Sequence, residues 1–250
     1  MTRFHISALI AAILIVAAVV TARWWLLYST LAGFLVVMGL GIALPRLRFF
    51  GPYICRGDSV KRQVALTFDD GPDPRSTPAL LKVLREHEVE AAFFAIGKKV
   101  EAEPKLANDI LRGRHLLENH SYQHSSATNF YLGAKLTAEV IRAQQVIEKH
   151  TGTTPNFFRP PVGLSNPFTF RVAKALGLKV IGWDIRSLDT RITDPAKIVR
   201  RIERRLRPGA IILLHDGDIP FERLVATVKL LLARLRERGY EVVRLDRMLN

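Results

Sequence analysis

Residues 67–72 read TFDDGP, two adjacent aspartates at the end of a strand-like run with a Gly-Pro turn behind them. Two like charges side by side repel, and folding alone gives no reason for them. Further along, NHSYQH (119–124) holds His120 and His124 with three residues between. That spacing predicts two imidazoles on one side of a helical turn. Two imidazoles and a carboxylate make a facial set of nitrogen and oxygen donors with open positions. Such a set suits zinc or a similar divalent ion, with cobalt, nickel and manganese as alternatives. One aspartate then ligates while the other stays free beside the cation as a base, and the cation offsets their repulsion. A turn cap accounts for one aspartate of the pair but not both.

More titratable groups fall at strand-like ends. Arg159 closes NFFR, Asp184 and Asp189 lie at or beyond KVIGWDI, and His215 closes AIILLH. Each alone has an ordinary structural reading, as an ion pair or a satisfied side chain. Five strands delivering such groups to one edge is a different matter, because the carboxyl ends of parallel strands form the functional face of α/β folds.

The elements that position them alternate. Strands are expected at 63–68, 91–97, 115–119, 156–159, 179–185, 210–215 and 241–245. Helices are expected at 77–86, 103–112, 134–150, 168–176, from Pro195 to Pro208, and at 221–238. Alternating strand and helix predicts a parallel sheet covered by helices, open or closed into a barrel.

The N-terminal part differs. No acidic residue occurs before Asp58. Ile6–Val20 is apolar apart from Ser7, and a second apolar run goes from Trp24 to Leu44. A span needs about 20 apolar residues. Arg23, Trp24 and Trp25 between the runs fit a membrane–water boundary. The expectation is a transmembrane helical hairpin over residues 1–46, a linker over 47–62 and a catalytic domain over 63–250. A signal peptide followed by an anchor is the alternative for 1–46. A bacterial-type inner membrane is the expected location, with the side of the domain open.

The 250 residues carry 37 Lys and Arg against 23 Asp and Glu, a formal charge of +14. Mean hydropathy is +0.12. A basic surface favours polyanions. No RNA-binding signature or zinc-finger spacing supports nucleic acid, so the membrane surface or an envelope polymer is preferred. The single cysteine, Cys55, excludes an internal disulfide. PAKIVRRIERRLRPG (195–209) reads as a core-facing helix with a solvated basic face. Contact with anionic headgroups is the sharper alternative.

From Gln63 to the C-terminus the chain resembles the NodB-type polysaccharide deacetylases, carbohydrate esterase family 4. The resemblance rests on TFDDGP (67–72), HSYQH (120–124), RPPVG (159–163), RSLDT (186–190) and LLHDG (213–217), in that order. It implies a distorted (β/α) barrel of about seven parallel strands. It also implies metal-dependent removal of N-acetyl groups from amino sugars of a polysaccharide or oligosaccharide. Asp70, His120 and His124 would hold the metal. Asp69 would be the base, oriented by Arg159, and His215 the acid, held by Asp189. Pro160, Pro161, Val162 and Leu213 would contact substrate, with a backbone N–H near Val162 at the oxyanion and Leu213 at the acetyl methyl.

Two positions depart from the family pattern: Val162 where an aromatic is common, and Thr190 where tryptophan is. Both remove a flat surface for a sugar ring. Two further readings follow: a deacylase or deformylase of a lipid-linked amino sugar at the bilayer, and a carbohydrate-binding protein with an inactive site.

Overall fold

The computed structural model describes residues 1–58, 60–125, 127–128, 131 and 133–249. The strands are β1 (Gln63–Asp69), β2 (Ala92–Ala95), β3 (Leu116–Asn119), β4 (Phe157–Phe158), β5 (Lys179–Val180), β6 (Ile185–Arg186), β7 (Ala210–His215) and β8 (Glu241–Val242). Their order is β5-β4-β3-β2-β1-β7-β6, with β8 beside β1, and every pairing is parallel. The result is a half-barrel of seven strands with helices outside: the alternation predicts the parallel, helix-covered sheet, and the family resemblance its barrel form.

The helices are α1 (Arg3–Val20), α2 (Trp24–Ala43), α3 (Thr77–Glu86), α4 (Gly97–Ala102), α5 (Pro104–Arg112), α6 (Gly133–Thr151), α7 (Thr169–Ala175), α8 (Pro195–Glu203), α9 (Phe221–Glu237) and α10 (Leu245–Met248). α4 has no counterpart among the sequence expectations. The last expected strand stops at Val242, and the chain turns into α10, whose Leu245 and Met248 plug the barrel beside Ala65 and Phe94.

Strand parity decides what faces the site. On β1, Val64, Leu66 and Phe68 pack outward under the helices. Residues two apart share a face, so Ala65, Thr67 and Asp69 point the other way, into the barrel. β7 repeats the pattern: Ala210, Ile212 and Leu214 go outward, which aims Ile211, Leu213 and His215 inward. Asp69 and His215 are register partners on adjacent strands.

The run KVIGWDI, expected as one strand, is kinked. β5 pairs with β4, and β6 pairs with β7, so the two edges of the sheet meet through residues 181–184. Ile181 N–H bonds the Phe158 carbonyl and Asp184 N–H bonds the Ile211 carbonyl. At the kink, Gly182 lies against Tyr53 and Cys55, where a Cβ would sit 2.7 Å from the Tyr53 ring and 2.9 Å from the Cys55 sulfur. Ile54 bonds backbone to backbone with Val180 and Gly182.

α1 and α2 are both long and apolar enough to cross a membrane, and both are almost wholly unburied. Their base is fixed to the domain side: Phe4 N–H bonds the Phe49 carbonyl, and the Arg3 guanidinium donates to the Leu47 carbonyl.

Candidate metal centre and active site

Asp69 and Asp70 follow one another but face different surroundings. Asp69 is the last inward residue of β1, and Arg159 donates to its Oδ1 at 2.5 Å. Arg159 is wholly buried and Asp69 is 4% exposed. The guanidinium also donates to Thr67 Oγ1 (3.0 Å), the Gly182 carbonyl (2.8 Å) and, through Nε, the Ile181 carbonyl (3.4 Å). Its plane lies 3.9 Å from the centre of the Phe94 ring. A buried guanidinium with this many acceptors has one orientation, and so does the carboxylate it holds.

Asp70 leaves the strand with a left-handed φ of 74°, which turns its side chain away from Asp69 and towards the histidines. Its Oδ1 lies 3.5 Å from His120 Nε2 and 3.2 Å from His124 Nε2. That buried oxygen has no hydrogen-bond partner. The three donor atoms lie within 4.8 Å of one another. Burial by itself raises the Asp70 carboxyl, but the adjacent His120, with His124 and His215 nearby, outweighs it and holds it well below the carboxylate range.

The histidines do not converge through a helix, as their spacing suggests. His120 is the first residue past β3, and Ser121 (φ 65°) and His124 (φ 52°) reverse the chain in a tight loop. Asn119 Oδ1 accepts from Ser121 N–H, Ser121 Oγ accepts from His124 N–H, and Glu139 of α6 accepts from Gln123 N–H. His120 Nδ1 bonds the Arg159 carbonyl at 2.7 Å. A carbonyl only accepts, so Nδ1 carries a proton, and Nε2 is the ring nitrogen turned towards Asp70. Burial, with His120 beside it, pushes His124 down to about 4, so its imidazole is neutral at pH 7. An Asp70 carboxylate whose buried Oδ1 has no hydrogen-bond partner, with the Nε2 atoms of His120 and His124 turned towards it, fits a divalent cation.

On the opposite wall, His215 Nδ1 bonds Asp189 Oδ1 at 2.8 Å, and Asp189 Oδ2 accepts the His215 backbone N–H at 2.8 Å. Ser187 Oγ donates to Asp189 Oδ1. Burial pulls the imidazole down, but the bond and charge of Asp189, with Asp69 and Asp70 beyond, push it up to about 9. Asp184, the competing aspartate, is turned elsewhere: Arg46 and Arg207 pair with it.

RPPVG supplies the third wall. Val162 is 48% exposed, with φ 59° and ψ 3°. The N–H groups of Gly163 and Leu164 bond back to Pro160 and Pro161, and that of Val162 has no partner among the described residues. Leu213 is 2% exposed, two residues below His215 on the inner face of β7. Thr190 is exposed.

Three residues escaped the sequence reading. Tyr53, in the stretch expected as linker, donates through its buried hydroxyl to the Gly163 carbonyl at 3.1 Å and so ties down the Val162 turn. The apolar cluster GPYIC was the signal available for it. Trp183 packs on Gly163, where a Cβ would lie 1.9 Å from its ring. Asp216, within LLHDG, is wholly buried. Its carboxyl accepts from Thr77 Oγ1 at 2.7 Å, and burial raises it to about 7. A Cβ on Gly71 would fall 2.2 Å from that carboxyl, so Asp216 holds the turn behind Asp70 and requires glycine there.

Residues 56–181 match the family described as Polysaccharide deacetylase. A peptidoglycan-N-acetylglucosamine deacetylase of Bacillus cereus is 34% identical over 189 residues, which is 75% of this chain and 88% of that protein. A chitooligosaccharide deacetylase of Bradyrhizobium is 32% identical, over 72% of this chain and 88% of that protein. Among solved structures, a mutant of a CE4 family pseudoenzyme of Bacillus anthracis, with restored enzymatic activity, superimposes with a TM-score of 0.74. It shares 27% identity, covering 80% of this chain and 71% of that one. The fold is thus shared with a relative that needed mutation to act, which makes the side chains at the site decisive.

Proposed function

The chain belongs to the polysaccharide deacetylase family, and on that premise we propose that it hydrolyses N-acetyl groups from amino sugars of a polysaccharide or oligosaccharide. One observation carries the reading. A buried aspartate fixed by a buried arginine stands beside an Asp–His–His donor set, with an Asp-held histidine across from it on the neighbouring strand.

The roles follow from the geometry. A divalent cation held by Asp70, His120 and His124, with zinc best matched to two imidazoles and one carboxylate, supplies Lewis-acid polarisation when bound. Asp69 takes the proton of the attacking water, and Arg159 holds the carboxylate in line for it. Val162 N–H, without a partner among the described residues, donates to the developing oxyanion. His215 stays protonated at neutral pH through Asp189 and gives its proton to the departing nitrogen. The amide C–N bond breaks, water contributes the hydroxyl to acetate, and the sugar leaves as the amine. Leu213, below His215, offers an apolar floor for the acetyl methyl, and Pro160 and Pro161 shape the adjoining wall. The full set of acid, base and donors argues against an inactive binding protein.

We also take α1 and α2 as a membrane anchor for the domain over 63–250, with 47–62 as its connection. Arg3, Arg46 and Arg48 at the hairpin base, against Arg23 at its turn, support a cytoplasmic domain. That anchor, with Val162 and Thr190 offering no ring for sugar stacking, favours a second reading: an N-acyl amino sugar carried on a lipid.

The test is acetate release by the full chain, loaded with zinc, from N-acetylglucosamine oligomers and from lipid-linked amino sugars. Asp69→Asn, equally loaded, should lose about 100-fold or more in rate. Acetate release by that variant at the parent rate sinks the mechanism, and formate release from an N-formyl lipid-linked sugar selects the second reading.

A further inference from the structure

Helix α8 carries a face that the active site does not use. Ile198, Val199 and Ile202 are buried in the core. On the outside, Lys197, Arg200, Arg201, Arg204 and Arg205 line a groove of about 390 Å³. Arg201 and Arg205 also line a second groove of about 290 Å³, shared with Leu44, Pro45, Arg46, Trp183 and Arg186. The two make one basic strip, running from α8 to the residues that leave α2.

These charges are not matched inside the fold. Glu203, the acid on α8, is taken by Arg238 at 2.9 Å. Asp184, at the floor of the second groove, is shared by Arg46 and Arg207. Among the described residues, Lys197, Arg200, Arg204 and Arg205 have neither an ion pair nor a side-chain hydrogen bond. Arg201 donates to the Arg186 carbonyl at 3.0 Å. Burial, with Arg205 and Arg186 close by, holds its guanidinium below the usual range. Crowded like charges repel, and an anion entering the strip relieves that repulsion.

A solvated helix face would explain exposed arginines anywhere on the surface. It does not explain why the strip ends at Leu44 and Pro45, where α2 leaves its apolar stretch. α2 exposes Trp25, Tyr28, Leu35 and Val36 along its length. With that helix in a bilayer, the residues just past its end lie at headgroup depth. Resting on the anchor reading above, we infer that the α8 strip docks on the phosphate headgroups of an anionic bilayer. The strip seats the domain against the same membrane that its hairpin enters. Trp183 links the two surfaces, because it lines the second groove while its ring packs on Gly163 beside Val162. A seated strip therefore fixes how the mouth of the barrel is presented to the lipid surface.

The experiment uses the full chain in nanodiscs of phosphatidylcholine, with and without phosphatidylglycerol. Phenylglyoxal modification of Arg201 and Arg205 is read by peptide mass spectrometry, with Arg112 on α5 as the internal reference. The expected result is modification slowed about fivefold or more in the anionic discs, the change for one basic side chain engaged at such a surface, with Arg112 unaltered. Arg200→Glu combined with Arg204→Glu should abolish that protection while acetate release from a soluble substrate is kept. Equal modification in both discs overturns the docking alone, as does the same protection from inorganic phosphate in neutral discs. Failure of the chain to co-elute with any disc overturns the anchor and the docking together, whatever the enzyme assay gives.

Discussion

Asp69 and Arg159 meet at 2.5 Å in a pocket where the arginine is wholly buried and the aspartate is 4% exposed. They come from strands separated by β2 and β3, and the guanidinium is locked by Thr67 and two carbonyls as well. The proposed base and the arginine that holds it are therefore also a structural joint of the barrel.

Replacing Arg159 with methionine should destabilise the domain by about 3–5 kcal/mol, since it leaves a buried carboxylate without its partner. The double variant Arg159→Met with Asp69→Asn should recover a good part of that loss. Chemical denaturation of the full chain in neutral detergent measures both. Strict additivity of the two single effects would show that the pair is not coupled.

Deacetylation should fall as pH rises past the His215 transition. The folded protein favours the imidazolium, which burial opposes but Asp189 stabilises, raising the group to about 9. The associated stability is complete below the ordinary histidine pKa and is lost as pH rises through about 9. A bound cation offsets the contributions of Asp69 and Asp70 but not that of Asp189, so the loaded enzyme turns over with a basic limb somewhat lower. Asp189→Asn should move that limb further down. A pH–rate profile checks it, and an unmoved limb removes His215 as the titrating acid.

Tyr53→Phe should cost about 0.5–1.5 kcal/mol, one buried hydrogen bond. Because the lost bond restrains the Gly163 carbonyl next to Val162, kcat should fall more than KM rises. Unchanged kcat with lowered stability would make Tyr53 a packing residue only.

Removing metal should lower stability as well as activity. Asp70 Oδ1 then remains buried with no partner. Saturating zinc at about 100 times its Kd should restore about 2.7 kcal/mol. Thermal unfolding with chelator, then with zinc added back, reads this. His120→Ala should abolish the zinc-dependent shift. A Tm indifferent to zinc would rule out Asp70, His120 and His124 as a metal set.

The residue types and their order along the chain were enough to foresee a parallel sheet covered by helices and the groups at its edge; the barrel itself was what the family resemblance implied. Strand parity is a local property, so Asp69 and His215 could be placed at the ends of β1 and β7 from periodicity alone. The apolar hairpin was equally local, since composition and length define it. Other features depend on contacts between distant segments, which no spacing encodes. His120 and His124 converge through a loop with two left-handed residues, not through helical periodicity. Asp189 rather than Asp184 holds His215, as the family resemblance implied though spacing alone did not decide it, because Arg46 and Arg207 draw Asp184 away. Tyr53 joins the site only because the stretch before β1 lies along the kink at Gly182. The sequence determined which chemical groups reach the edge of the sheet. Their pairing was left to the closure of the barrel, which brings residues more than 90 positions apart within hydrogen-bonding reach.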